Sequence, residues 1–167
     1  MTKIKGKYLQ QFVDGKPQAL ATSCSLNATM QFDDARTKDD PEGPAPEPDY
    51  IDWSVSCENI LGYNEDVTAE MLYDELMEIF TTKKKVEIYI EQVINPSAAV
   101  PNAGWKPETG TTKAFAPYGG YAYVESVTLN APADGKATVS VNYKGYGALM
   151  KKSDAAQSSN TSSNTEQ

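Results

Sequence analysis

Histidine is absent from the 167-residue chain. With it go the side chain that most often serves as general base, the commonest zinc ligand, and every Ser-His-Asp or Cys-His nucleophilic arrangement. Cysteine is scarce: Cys24 and Cys57 stand 33 positions apart, so there is no Cys-x-x-Cys pair for a metal or redox motif. Both fall in strand-like segments, where they read as small buried hydrophobes with free thiols. Positive charge is short, 15 Lys and Arg against 23 Asp and Glu, and a net charge of -8 repels a phosphate backbone instead of neutralising it. No apolar run is long enough for a signal peptide or a membrane span, the N-terminal Met1-Thr2-Lys3-Ile4-Lys5 stretch included, so synthesis and assembly in a cytoplasm are expected.

Other chemistry fails on spacing. Asp33-Asp34, Asp39-Asp40 and Asn64-Glu65-Asp66 lack the glycine and the terminal glutamate of an EF-hand loop. Gly119-Gly120 and Gly145-Tyr146-Gly147 do not lie between a strand and a helix with a following lysine, so they are backbone bends and not phosphate loops. Glu87 and Glu91 share one side of a strand pattern and read as a solvated face. Tyr118, Tyr121, Tyr123, Tyr143 and Tyr146, with Trp105, read as packing or contact surface. The expectation is a protein that is not an enzyme, with no catalytic residue, cofactor or metal.

What is present is alternation. At 40% hydrophobic and 23% charged residues the chain has the composition of one globular domain. Lys7 to Val13, Asp14-Gly15, and Gln18 to Ser25 form a hairpin pattern, because Asp-Gly supplies the positive φ of a tight turn. Leu26, Ala28, Met30 and Phe32 then alternate with polar residues at the period of a half-buried strand. Asp33 to Asp49 carries four prolines and seven acids and reads as a long loop. Ile51, Trp53, Val55 and Cys57 form the returning strand, with Asp52, Ser54, Ser56 and Glu58 on its other side.

Thr68 to Thr82 is the one helical stretch, with Leu72, Leu76, Ile79 and Phe80 on one stripe and an Asp66 or Thr68 cap. Lys83, Lys84 and Lys85 suit its C-terminal dipole end. Val86, Ile88 and Ile90 alternate as a strand that is expected to begin a second sheet, and Asn95 to Pro117 is a second long loop. Tyr118 to Asn130 is extended but changes parity near Glu125 or Ser126, which predicts a β-bulge. A turn at Ala133-Asp134-Gly135-Lys136 and alternating Val139, Val141 and Tyr143 close the pattern. The fold class is mainly β, a sandwich or barrel-like body over residues 1–150 with one flanking helix and long loops, and residues 151–167 form a polar tail expected to be disordered.

The order and spacing of several segments resemble a phage major tail tube protein. They are Lys5-Gly6-Lys7-Tyr8-Leu9-Gln10, Asp14-Gly15-Lys16-Pro17 with Ala19-Leu20-Ala21-Thr22-Ser23, Trp53-Ser54-Val55-Ser56-Cys57-Glu58-Asn59, Leu72-Tyr73-Asp74-Glu75-Leu76-Met77, Gly119-Gly120-Tyr121-Ala122, and Val127-Thr128-Leu129-Asn130-Ala131-Pro132. The likeness spans about Lys5 to Leu149. It implies a structural virion protein that assembles into hexameric rings, stacked as a hollow tube for genome delivery. Implied partners are further copies of the chain and the tail terminator, baseplate or tip, and tape measure proteins, with double-stranded DNA passing through unbound and no membrane involved.

On that frame Asp52, Ser54, Ser56, Glu87 and Glu91 are candidates to face the lumen, where acidity keeps a polyanion from sticking. Asp39, Asp40, Glu42, Glu47 and Asp49 of the long loop are candidates to reach the adjacent ring. The competing expectation is a soluble β-sandwich module that binds carbohydrate or protein through Trp105 and the tyrosines.

Overall fold

The computed structural model describes residues 4–34, 38, 43, 46–62, 73–93, 105–108 and 116–152. It is mainly β: strands β1 (Leu9–Val13), β2 (Lys16–Pro17), β3 (Ala21–Asp34), β4 (Pro46–Ile60), β5 (Val86–Gln92), β6 (Tyr118–Asn130) and β7 (Thr138–Lys151), with helix α1 (Tyr73–Thr81) between β4 and β5. Val86 does not begin a second sheet. All strands join one antiparallel sheet in the order β2-β1-β5-β6-β7-β4-β3, and β5 bridges β1 and β6 within it.

That sheet rolls around its own core in a barrel-like curl, as the right-handed twist of long strands favours. Its two end regions meet: the Gln11 backbone on β1 comes close enough to Cys24 on β3 to favour its thiolate, although four other strands separate them in the sheet order. The inward face carries Val13, Trp53, Val55, Val86, Ile88, Ala122, Val139, Val141 and Tyr143, all buried, and α1 closes it with Leu76 and Ile79. Each such aliphatic side chain contributes roughly 1.5–3 kcal/mol on leaving water.

Local chemistry explains the element ends. Asp14 and Gly15 take φ of 50° and 79°, the two positive values of a tight hairpin turn, and Asp14 Oδ1 accepts the Glu87 N–H at 2.9 Å. The hairpin partner is short, however: only Phe12–Pro17 and Val13–Lys16 pair before the chain leaves to form β3. Helix α1 ends with Lys83 at φ 54° while the Lys84 N–H reaches the Ile79 carbonyl at 3.1 Å, a C-terminal wrap that closes the last turn. The Lys16–Glu75 ion pair of 2.8 Å ties the helix to the first hairpin. The expected helix start and cap at Asp66 or Thr68, and Leu72, lie outside the described residues, and Phe80 of the expected apolar stripe is exposed.

The predicted bulge is present: the β6–β7 register shifts between Val124 and Ser126. It lets both Ala122 and Val127 turn toward the core side despite their opposite parity. At the far end, β7 runs through the Gly145-Tyr146-Gly147 stretch to Lys151, and the Lys152 N–H bonds the Pro117 carbonyl at 3.0 Å. The sheet thus extends past residue 150, and the expected tail from 153 onward lies outside the described residues.

Candidate functional site

Strand register gathers a broad polar surface on the outward side of the sheet. Glu87 on β5 pairs with Tyr121 on β6, which pairs with Tyr146 on β7. Two residues on, Lys144 pairs with Ser54 on β4, and Asn142 pairs with Ser56. Asn27 and Ser25 on β3 extend the row opposite Ser54 and Ser56. Directly paired residues share a face, so Asp52, Ser54, Ser56 and Glu87 lie on one side of one sheet, as the alternation implies.

Short hydroxyl and amide contacts knit this face together. Ser25 Oγ and Ser56 Oγ lie 2.6 Å apart, and Asn142 Nδ2 donates to Ser126 Oγ at 2.9 Å. Lys144 Nζ donates to Asp52 Oδ1 at 2.5 Å. That bond, ahead of the attraction of Asp52 and Glu125, holds the Lys144 ammonium above its ordinary pKa. One acid of the face is therefore neutralised in place. Lys85 sits 5.0 Å from the ring centres of both Tyr121 and Tyr146, and Tyr123 meets Tyr146 edge to face at 5.7 Å.

Glu91 departs from the expected set. It has the same parity as Glu87 but is only 2% exposed, covered by the returning chain end, and its Oε1 accepts from Lys152 Nζ at 2.5 Å. Lys152 also lies 5.1 Å above the Tyr89 ring, whose phenol is pushed up first by burial and then by Glu87. Alternation assigns a side of the strand; it does not say what packs over that side. Glu91 is a structural anchor and not part of a wet surface.

Both ends of the expected loop from Asp33 to Asp49 are strand residues of a projecting hairpin, and most of the span between them lies outside the described residues. β3 and β4 stay paired out to Asp34 and Pro46, whereas β7 accompanies β4 only from Ser54 to Ile60. Glu47 pairs with Asp33 and Asp49 lies within β4, so both are strand residues; Asp39, Asp40 and Glu42 lie outside the described residues. The prolines mislead a reading by composition. In a two-stranded ribbon each strand keeps one free edge, so Pro46 and Pro48 need no ladder donor there. Met30, Phe32, Tyr50 and Ile51 on this arm are 41%, 61%, 59% and 39% exposed, apolar surface with no covering layer.

Between the edges of the rolled sheet lies a cleft of about 900 Å³ lined by residues including Lys7, Gln10, Cys24, Leu26 and Trp105. Trp105 is half-buried there, while the neighbouring Val93–Pro107 bridge and the Gln92–Glu108 hydrogen bond of 2.6 Å hold its segment against β5. Tyr143, counted among candidate contact tyrosines, is fully buried with its hydroxyl 3.4 Å from Gln18 Oε1. Among the described residues no group of His, Cys, Asp and Glu is arranged to hold a metal, and no helix is long and apolar enough to cross a membrane.

No family model matches the chain, and no curated protein matches its sequence. Solved structures do. The fold is that of chains in viral-type tails. A chain of the native gene transfer agent virion aligns with a TM-score of 0.63 at 15% identity, over 90% of this chain and 100% of that one. A chain of the empty gene transfer agent particle's tail, solved with C6 symmetry, gives 0.61 at 15% identity with the same coverage. The SPP1 tail tube gives 0.59 at 12% identity, over 89% of this chain and 78% of that one. At these identities the likeness establishes the fold, which now rests on the whole body of the chain and not on short segments.

Proposed function

We propose that this chain is the structural subunit of a phage-type tail tube, assembling into hexameric rings that stack as a hollow conduit for a double-stranded genome. The observation that carries the reading is the near full-length match to a chain from a tail solved with C6 symmetry. Three features of this chain support it. β3 ends the sheet with one side unpaired to any strand, and β1 is covered on its outer side only from Gln11, whose carbonyl accepts the Gln18 N–H, to the Phe12 and Val13 pairs with β2. Such edges are liabilities in a lone protein and assets in a ring, where neighbouring sheets complete one another.

The outward polar face with Asp52, Ser54, Ser56 and Glu87 is the surface we assign to the lumen. It offers hydroxyls and acids, and its central lysine is already engaged by Asp52. With Lys85 over Tyr121 and Tyr146 as a second cation against Asp52 and Glu87, a polyanion meets no net positive charge from these residues. The projecting β3–β4 hairpin, with the adjoining Asp39, Asp40, Glu42, Glu47 and Asp49, is assigned to contact between successive rings, where Met30, Phe32, Tyr50 and Ile51 lose their exposure. Tail terminator, tip and tape measure proteins follow as partners, and the virion as the place of residence.

The rival, a monomeric binding module that uses Trp105 and the cleft, differs in one measurable respect. Sedimentation velocity over a concentration series should give a discrete multi-subunit species and then longer polymers for a tube subunit. A chain that stays monomeric throughout the series would favour the module and remove the tube reading.

A further inference from the structure

Cys24 and Cys57 are direct cross-strand neighbours in the β3–β4 register, and their sulfurs lie 2.7 Å apart as free thiols. A disulfide bond is about 2.05 Å long, so closure requires little movement of either side chain. The two thiols differ in access. Cys24 is half-buried and lines the roughly 900 Å³ cleft between the sheet edges, whereas Cys57 is 1% exposed behind it. They differ also in their polar neighbours: the Gln11 backbone of the facing strand lies by Cys24, whereas Cys57 Sγ lies 3.3 Å from Asn59 Oδ1 and can donate to it.

We propose that Cys24 and Cys57 form a thiol–disulfide exchange site, with Cys24 as attacking sulfur and Cys57 as resolving sulfur, which closes to a cross-strand disulfide when a small-molecule disulfide enters the cleft. Nothing in this depends on the tube reading.

The asymmetry of the pair sets the order of events. When the one Cys57 S–H turns from Asn59 Oδ1 to Cys24 Sγ, its hydrogen bond, opposed by burial and helped by the Gln11 backbone, pulls the Cys24 thiol below its ordinary value. The same hydrogen bond and burial push Cys57 up, so when the pair loses one proton it is Cys24 that gives it up. In the first step the Cys24 thiolate attacks one sulfur of the disulfide. A Cys24 mixed disulfide forms, and the other half leaves as a thiolate that takes up the proton Cys24 lost. In the second step Cys57 gives up its proton and attacks Cys24 Sγ, which breaks the mixed disulfide and releases the second half as a thiol. Two protein thiols are oxidised and one external disulfide is reduced to two thiols. The product pins β3, the edge strand of the sheet, to β4 in its present register.

The test treats the folded full-length chain, dilute and reduced, with oxidised glutathione and follows intact mass and thiol titre. The expected product is lighter by two hydrogens, yields a linked Cys24–Cys57 peptide on digestion, and regains both titratable thiols with dithiothreitol. In Cys57→Ala the reaction should stop with glutathione on Cys24, and folded Cys24→Ala should take none. The proposal is overturned if both thiols still titrate under an exposure that oxidises the urea-unfolded chain. It is equally overturned if the wild type halts as a glutathione adduct, or if the sole disulfide joins two chains. The wild-type outcome decides closure whether or not either variant folds.

Discussion

Replacing Gly145 by alanine tests how the rolled sheet is locked shut. Gly145 lies on β7 beneath the Trp53 indole, and a Cβ added there lands against ring atoms Cε2, Cδ2 and Nε1 at less than contact distance. The ring has nowhere to go. It is 2% exposed, its far edge already approaches Gly120, and its Nε1 donates to the Gly147 carbonyl at 3.0 Å. Gly145 is not among the glycines with positive φ, so alanine brings no backbone strain of its own and the whole effect is steric. Overpacking of this kind costs about 1–3 kcal/mol, and displacing the indole forfeits a hydrogen bond worth about 1 kcal/mol. Gly145→Ala should therefore destabilise the subunit by about 2–4 kcal/mol, lowering Tm by roughly 5–15 °C for a domain of this size. Urea denaturation of the unassembled subunit measures it, and Trp53→Phe, with its smaller ring, should recover part of the loss in the double variant. A Gly145→Ala subunit within about 0.5 kcal/mol of wild type, or strictly additive effects with Trp53→Phe, would refute the packing argument.

Glu91→Gln should cost about 1–3 kcal/mol of stability by urea denaturation, because it leaves Lys152 beside a buried acceptor without its charge; an unchanged midpoint would return Glu91 to the solvated face. Phe32→Ser and Tyr50→Ser, both on the exposed arm, should leave subunit stability within about 0.5 kcal/mol yet reduce association in sedimentation velocity. Polymers of wild-type length from both would remove the arm from the interface. Burial pushes the Tyr143 phenol well above the ordinary tyrosine value. The folded state then holds that proton more tightly than the unfolded one, so stability is intact below the unfolded pKa and falls as pH rises through the folded value. Urea midpoints from about pH 8 to about pH 11 should decline at the alkaline end, and Tyr143→Phe should flatten that decline; an identical slope in the variant would assign it to other groups.

Much of this architecture was legible because a strand buried on one face writes its period into the sequence. Trp53, Val55 and Cys57 against Ser54 and Ser56 is such a case, and the parity change that located the bulge at Val124–Ser126 is another. Helix α1 was legible in the same way through Leu76 and Ile79. What alternation does not carry is connectivity between distant strands. Nothing near Val86 says that β5 joins β1 and β6 in one sheet, because that pairing closes a loop from Leu9 to Gln92. Tertiary cover is equally silent: Glu87 and Glu91 share a parity, and only the return of Lys152 separates their fates. The arm was misread for a local reason, since Pro46 and Pro48 signal a loop unless the strand has a free edge. Its apolar residues are the surface signal that composition did carry, though Met30 and Phe32 read from sequence as core and stand in solvent in the lone subunit.

Negative-stain electron microscopy of the concentrated, purified protein tests the central claim most directly. Sixfold rings with an open centre, stacked into hollow filaments, are the predicted result. Uniform single particles of 18.2 kDa at every concentration, with no annular or filamentous species, would contradict it.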